Sequence, residues 1–132
     1  MEVCLFLFVQ EFVKCGLTGW CMEVFWTGTM NLIQKDRKMC GNTSLLMFPI
    51  YGMAAVIKPM SKLMKNRNFI MRGTVYTCGI YAMEYVSGRF LKKKEMCPWD
   101  YSKCKYNIDG VIRLDYAPVW FTTGLLYEKI LK

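Results

Sequence analysis

The sequence predicts an all-α polytopic membrane protein: a helical bundle of about four spans, with an ordered loop over residues 97–113 capping one end. Three observations predict it. Residues 73–83, GTVYTCGIYAM, and residues 116–127 hold no charge over about three helical turns each, whereas a soluble amphipathic helix shows one on nearly every turn of its wet face. Trp20, Trp26, Trp99, Trp120 and several tyrosines lie toward segment ends or in connectors, where amphipathic rings suit a membrane–water interface. Small residues recur inside the apolar segments, among them Gly16, Gly19, Gly52, Ala54, Ala55, Gly73, Gly79 and Gly124. A glycine costs a soluble helix about 1 kcal/mol, but in lipid it lets helices approach closely.

Four apolar segments carry this prediction. The first, 3–33, is broken by Glu11, Lys14 and Glu23. No positive leader precedes it and no small-residue cleavage site follows its first apolar run, so it is expected to stay in the mature protein. The second, 44–64, is uncharged as far as Ile57. The window 39–57 is the charge-free stretch nearest the roughly 20 residues a span requires. The third, 69–91, contains Arg72, Glu84 and Arg89, and the fourth, 114–131, contains Asp115 and Glu128. These internal charges keep a soluble four-helix bundle open as the competing reading. The connectors 34–42, 65–68 and 92–113 are charged and rich in turn formers. At 132 residues the whole chain, 1–132, is expected to be a single integral membrane domain.

Composition narrows the function classes. Apolar residues make up 54% of the chain, above the roughly 45–50% of soluble domains. The net charge is +8 and the pI about 9.2. A basic excess suits nucleic acid, an anionic membrane surface or the cytoplasmic loops of a membrane protein. No nucleic-acid-binding pattern accompanies Lys92, Lys93, Lys94, Lys103 and Lys105, so the expected partner is the bilayer with its anionic headgroups, not nucleic acid. The seven cysteines are irregularly spaced, lack a CxxC pair and have no histidine to join them. No metal site and no cofactor is therefore expected, and the cysteines read as small hydrophobes in packed helices. Neither a Ser/His or Cys/His pair nor a glycine-rich phosphate loop is present, which excludes the usual nucleophilic and phosphoryl-transfer chemistries.

Ionisable groups in the spans are the candidates for function, because each costs about 2.5–3.5 kcal/mol to insert. They are Glu23, Glu84, Asp115 and Glu128. Trp20 and Trp26 flank Glu23, Tyr81 and Tyr85 lie near Glu84, and Tyr127 adjoins Glu128; such donors can hold a carboxylate in a low-dielectric site. The loop adds CPWDYS at 97–102. Pro98 interrupts helix, Trp99 and Tyr101 are interface residues, and Asp100 ahead of Ser102 suits an Asx turn. Asn107-Ile108-Asp109-Gly110 is a second turn signal. Arg113 and Asp115 open the last helix, Asp115 set against its positive N-terminal dipole. The candidate polar site is therefore Glu23, Glu84, Trp99, Asp100, Tyr101, Asn107, Arg113, Asp115 and Glu128. The plainer alternative pairs the glutamates with Arg72, Arg89 and Arg113 as static pins.

MEYVSG at 83–88, CPWDYSKCKYNIDGVIRLDYAPVW at 97–120 and GLLYEK at 124–129, with GWCMEVFWTG at 19–28 and SLLMFPIYG at 44–52, resemble a family of small polytopic membrane proteins. Its bacterial members carry the label ABC-transporter permease, type IV; the vertebrate transmembrane protein 229 family is similar. The resemblance implies about four spans, an acid at each of the four positions above, and a role as a transporter or permease-like component. Without a Walker A motif here, any ATPase is a separate protein, and a homo-oligomer or a partner subunit is expected. Two other functions stay open. One is a membrane enzyme acting on a lipid or isoprenoid, with Asp100, Asp115 and an intramembrane glutamate as acid and base. The other is a structural subunit without chemistry. Four spans in the cell membrane place connectors 34–42 and 92–113 on one side; their nine basic residues against six on the other favour the cytoplasm for both.

Overall fold

A computed structural model describes residues 1–132. The chain is mostly helical. It runs α1 (Glu2–Ile33), α2 (Met47–Gly52), a 3-10 segment (Met53–Val56), α3 (Ile57–Leu63), α4 (Phe69–Lys93), strands β1 (Asn107–Ile108) and β2 (Ile112–Arg113), a 3-10 turn (Leu114–Tyr116) and α5 (Ala117–Leu131). It divides into two compact units, Met1–Ala55 and Val56–Lys132.

In the first unit α2 packs on α1. At 1.5 Å per residue α1 is about 48 Å long, and it is the one helix both long and apolar enough to cross a membrane. Small residues set the approach: a Cβ on Gly16 would come within 2.7 Å of the Phe48 ring. The segment after α1 runs back along it, tied by polar side chains. The Trp20 indole donates to the Ser44 carbonyl at 2.9 Å, Asn31 Nδ2 to the Cys40 carbonyl at 2.7 Å, and the Asn42 amide to Thr27 Oγ1 at 2.7 Å.

The second apolar segment departs from the expected continuous helix. Helix begins only at Met47, and it loses α register over Met53–Val56. Two local causes act. The backbone of Cys40, Asn42 and Ser44 bonds side chains of α1, and the Thr43 hydroxyl bonds Glu23, which draws this stretch along α1 rather than into a helical start. Pro59 lacks the N–H that would bond the Ala55 carbonyl and its ring crowds that carbonyl, which places the tighter 3-10 turn one residue run earlier. The fourth segment is also shorter as a helix than its apolar length, starting at Ala117 with Pro118 in its first turn, a position proline tolerates.

In the second unit α4 packs against α5, α3 packs against α5, and β2 lies on α4. Asn68 caps α4, its side-chain oxygen accepting from the Met71 amide at 2.9 Å, and Lys92 and Lys93 occupy the last turn, where the dipole favours cations. Gly124 lets α5 reach α4: a Cβ there would sit 2.6 Å from Tyr76 Cβ. Tyr76, Val111, Tyr127 and Leu131 form the buried core with Leu91 and Ile112. The all-α expectation needs one amendment, a two-stranded antiparallel hairpin with Asn107 opposite Arg113 and Ile108 opposite Ile112. Asp109 and Gly110 both have positive φ, and the Val111 amide donates to the Ile108 carbonyl at 3.1 Å, the geometry of the type I′ turn that Asp-Gly favours. The cysteines are all free, and Cys15 alone is buried; the expectation of packed thiols holds for that one, since the others lie on outer or loop positions.

Candidate functional site

One face of α4 organises the polar side chains of the second unit, at three levels. Near its start, Glu128 of α5 is 3% exposed. It accepts from the Tyr76 hydroxyl at 2.8 Å and pairs with Lys132 at 2.8 Å and Arg72 at 3.4 Å. The Tyr76 hydroxyl and two cations thus compensate one buried carboxylate, although the buried Arg72 Nε makes no hydrogen bond of ordinary geometry.

Two to three turns further on sits Glu84. Its Oε2 is buried and makes no hydrogen bond, and the Nε1 of Trp120 on α5 is buried and unbonded as well. The Trp120 indole is the polar group that acts on the Glu84 carboxyl, without forming a hydrogen bond of ordinary geometry. No basic side chain pairs with Glu84. The arginines expected to neutralise it are committed elsewhere: Arg72 to Glu128, Arg89 to Asp109 at 3.0 Å and Arg113 to Asp115 at 2.8 Å.

The last turns of α4 hold the loop. Asp109 Oδ2 accepts from the Tyr85 hydroxyl at 2.8 Å and from Arg89 at 3.0 Å. Lys92 Nζ bridges Asp100 Oδ1 at 3.2 Å, Ser102 Oγ at 3.4 Å and the Asp109 carbonyl at 3.2 Å. Asp100 also accepts from the Ser102 amide at 3.0 Å and the Ser102 hydroxyl at 2.5 Å, an Asx turn. Asn107 pins the loop from within, donating to the Cys104 carbonyl at 2.5 Å and accepting from the Gly110 amide at 2.9 Å. The half-buried Trp99 donates to the Val111 carbonyl at 2.9 Å, its ring beside Gly88. The Tyr101 amide donates to the Gly110 carbonyl at 2.9 Å. The Tyr101 ring meets Tyr116 edge-on at 5.9 Å, and Tyr116 meets Trp120 at 6.2 Å. Arg113 grips Asp115 with two nitrogens and stacks over Tyr116 at 4.4 Å, and the Tyr81 hydroxyl donates to the Arg113 and Leu114 carbonyls.

These bonds set the loop's charges. The Ser102 hydroxyl and amide, with Lys92 beside them, hold the Asp100 carboxyl down at about 2. The Tyr85 hydroxyl, joined by Arg89, keeps Asp109 below the usual carboxylate range. The hydrogen bonds to Asp115 fix the Arg113 charge more firmly than in an isolated arginine.

The expected site is therefore brought together only in pieces. Trp99, Asp100, Tyr101 and Asn107 share the loop, and Arg113 with Asp115 links it through Tyr116 to Trp120 and Glu84. Glu128 lies at the far level of α4. Glu23 belongs to the first unit, where it accepts from the Thr43 hydroxyl at 2.7 Å. Asp100 and Asp115 are each closed by their own cation, Lys92 and Arg113. Asp100 is held by Lys92 and not by Arg113, because Arg113 finds Asp115 two residues away. Sequence reasoning missed Lys92 and Trp120 as members of this constellation and read Asp109 only as part of the 107–110 turn. It set Tyr81 and Tyr85 beside Glu84, whereas the Tyr85 hydroxyl bonds Asp109 and the Tyr81 hydroxyl the Arg113 and Leu114 carbonyls.

No solved structure matches the chain. The family model described as "Putative ABC-transporter type IV" matches residues 10–132, which include every candidate residue above, and the chain belongs to that family.

Proposed function

We propose that this chain is the membrane-embedded component of a transport system in the cell membrane. It crosses four times, with segments 3–33, 44–64, 69–91 and 114–131, and uses Glu84 as the ionisable group on its transport path. The family and the one apolar helix of spanning length support a membrane protein. The rows of exposed Leu, Phe, Val and Ile on α1 and α4 fit a lipid-facing surface. The observation that carries the transport reading is Glu84. Glu84 is half-buried, with its Oε2 buried and unmet and no counter-ion; such an oxygen lowers stability, and an intramembrane acid of that kind marks an ion or substrate path. Glu128, bonded by Tyr76 and paired with Arg72 and Lys132, is a structural pin by the same criterion. ATP hydrolysis, where it drives transport, comes from a separate subunit, since this chain lacks a phosphate-binding glycine loop.

The test uses the full chain purified in lipid nanodiscs directly from the native membrane, with bound small molecules identified by mass spectrometry. Wild-type protein is expected to retain a cargo that Glu84→Gln loses by tenfold or more while its melting temperature is maintained. Release of the chain from membranes by alkaline carbonate, or equal cargo in Glu84→Gln, sinks the reading.

A further inference from the structure

The loop treats its charges unequally. Its carboxylates are consumed facing α4: Asp100 by Lys92, and Asp109 by Arg89 and Tyr85. Its outer side keeps the cations. Lys93, Lys94, Lys103 and Lys105 are all exposed, and none of them pairs with an acid; Glu95, exposed in the turn after α4, is the one carboxylate of this stretch outside those pairs. Among these lysines stand exposed apolar groups, Met96 at 53%, Tyr106 at 54% and Ile108 at 41% exposure. The Lys105 ammonium lies 5.4 Å from the Tyr106 ring centre, so the aromatic and a cation present one combined surface. The hairpin that displays Tyr106 and Ile108 is rigid: Asn107 is bonded on both sides, the Leu114 amide donates to the Tyr106 carbonyl at 2.9 Å, and Trp99 closes on Val111.

Exposed, unpaired lysines alternating along the chain with exposed apolar side chains are the chemistry of a surface that meets anionic lipid. The ammoniums reach phosphates, and the rings and aliphatic tips enter the acyl boundary. We propose that the outer face of this loop, formed by Lys93, Lys94, Lys103, Lys105, Tyr106 and Ile108, binds the anionic phospholipid headgroups of the leaflet through which α4 emerges. The proposal rests on the membrane reading of α4 and is independent of any cargo. An acidic protein or a nucleic acid would use the lysines but has no need of the exposed Met96, Tyr106 and Ile108 among them.

The full chain is reconstituted in nanodiscs of phosphatidylcholine alone or mixed with phosphatidylglycerol, and amide hydrogen exchange is followed over 102–109. Exchange is expected to slow several-fold in the anionic discs only. The combined change of Lys93, Lys94, Lys103 and Lys105 to Gln should abolish that difference, and Tyr106→Ser should reduce it, while Lys129→Gln, at the other end of the unit, leaves it intact. In native mass spectrometry the fourfold variant should lose about tenfold or more of its preference for phosphatidylglycerol. Equal exchange in both discs overturns the proposal, as does protection that survives the fourfold change or a surface that retains RNA or an acidic peptide in place of lipid. The membrane reading has its own check: a chain that alkaline carbonate extracts fails that reading, whereas an integral chain with lipid-independent exchange fails this proposal alone.

Discussion

Glu84 and Glu128 face the same helix pair and have opposite fates, and the difference is one of donors. Glu128 has a hydroxyl, a guanidinium and an ammonium within reach; Glu84 has an indole that does not quite meet it. Removing one donor from a buried carboxylate leaves part of its desolvation uncompensated, so Tyr76→Phe is expected to cost about 1–3 kcal/mol. Lys132 is 62% exposed at its side chain, so its solvated ammonium is screened and loses side-chain entropy on pairing, and Lys132→Ala should cost less than about 1 kcal/mol. Denaturation midpoints of the two variants in detergent check the order; a costlier Lys132→Ala would reassign the cluster's stability to the ion pair. Glu84→Gln removes a charge that nothing balances and should leave the midpoint unchanged or raise it. These pairings were legible from the sequence only where partners lie close along the chain. The Asx turn of Asp100 with Ser102 spans two residues and is written in their types. The bond from Tyr76 to Glu128 joins residues 52 apart, and no local pattern specifies it.

At the scale of elements, the loop 97–113 is ordered because its sequence supplies a turn, a hairpin and two anchors that all require the same path. Val111 is wholly buried and Trp99 donates to its carbonyl, against the bare flank of α4 at Gly88, where a Cβ would lie 2.8 Å from Val111 Cβ. Gly88→Leu should therefore lift the loop from α4 and expose 97–113 to limited proteolysis, while the wild-type loop resists; equal cleavage of the two would show that the contact does not hold the loop. Acid acts on the same anchor. Asp100 has its folded-state value depressed to about 2 from the ordinary 3.8. Its contribution is present above about 3.8 and is lost as the pH falls through about 2. Protease resistance of the loop should thus persist at pH 5 and weaken only in strong acid, and Asp100→Asn should flatten that loss. The turn chemistry made this element readable in advance. The broken helix of the second segment was less so: the apolar run is continuous in sequence, and the interruption comes from where Pro59 removes a backbone donor relative to Ala55.

That interruption decides what the whole molecule does in a membrane. The helical stretch from Met47 to Leu63 holds 17 residues, four of them in 3-10 form, fewer than the roughly 20 that a spanning helix requires. Charged Lys58 and Lys62 lie within its last two turns, and the polar stretch 41–44 stays on α1. A segment of this length crosses if its lysines snorkel to the far headgroups; otherwise it enters and leaves on the same side. The two arrangements differ in one measurable respect. If the segment crosses, connectors 34–42 and 92–113 share a side of the membrane; if it turns back, they lie on opposite sides. Each connector carries its own reporter, Cys40 exposed in the first and Cys104 half-buried in the second. Two variants, each keeping one of these cysteines with the other six replaced by serine or alanine, can be probed with an impermeant thiol reagent on intact cells and on inverted vesicles. The four-span arrangement with basic connectors inside predicts that both thiols are shielded in cells and both react in inverted vesicles, Cys104 more slowly because the loop covers it. Labelling of one in cells and the other in vesicles would reduce the crossings to three, and would place the two basic connectors, and the acid-bearing helices between them, under opposite membrane faces.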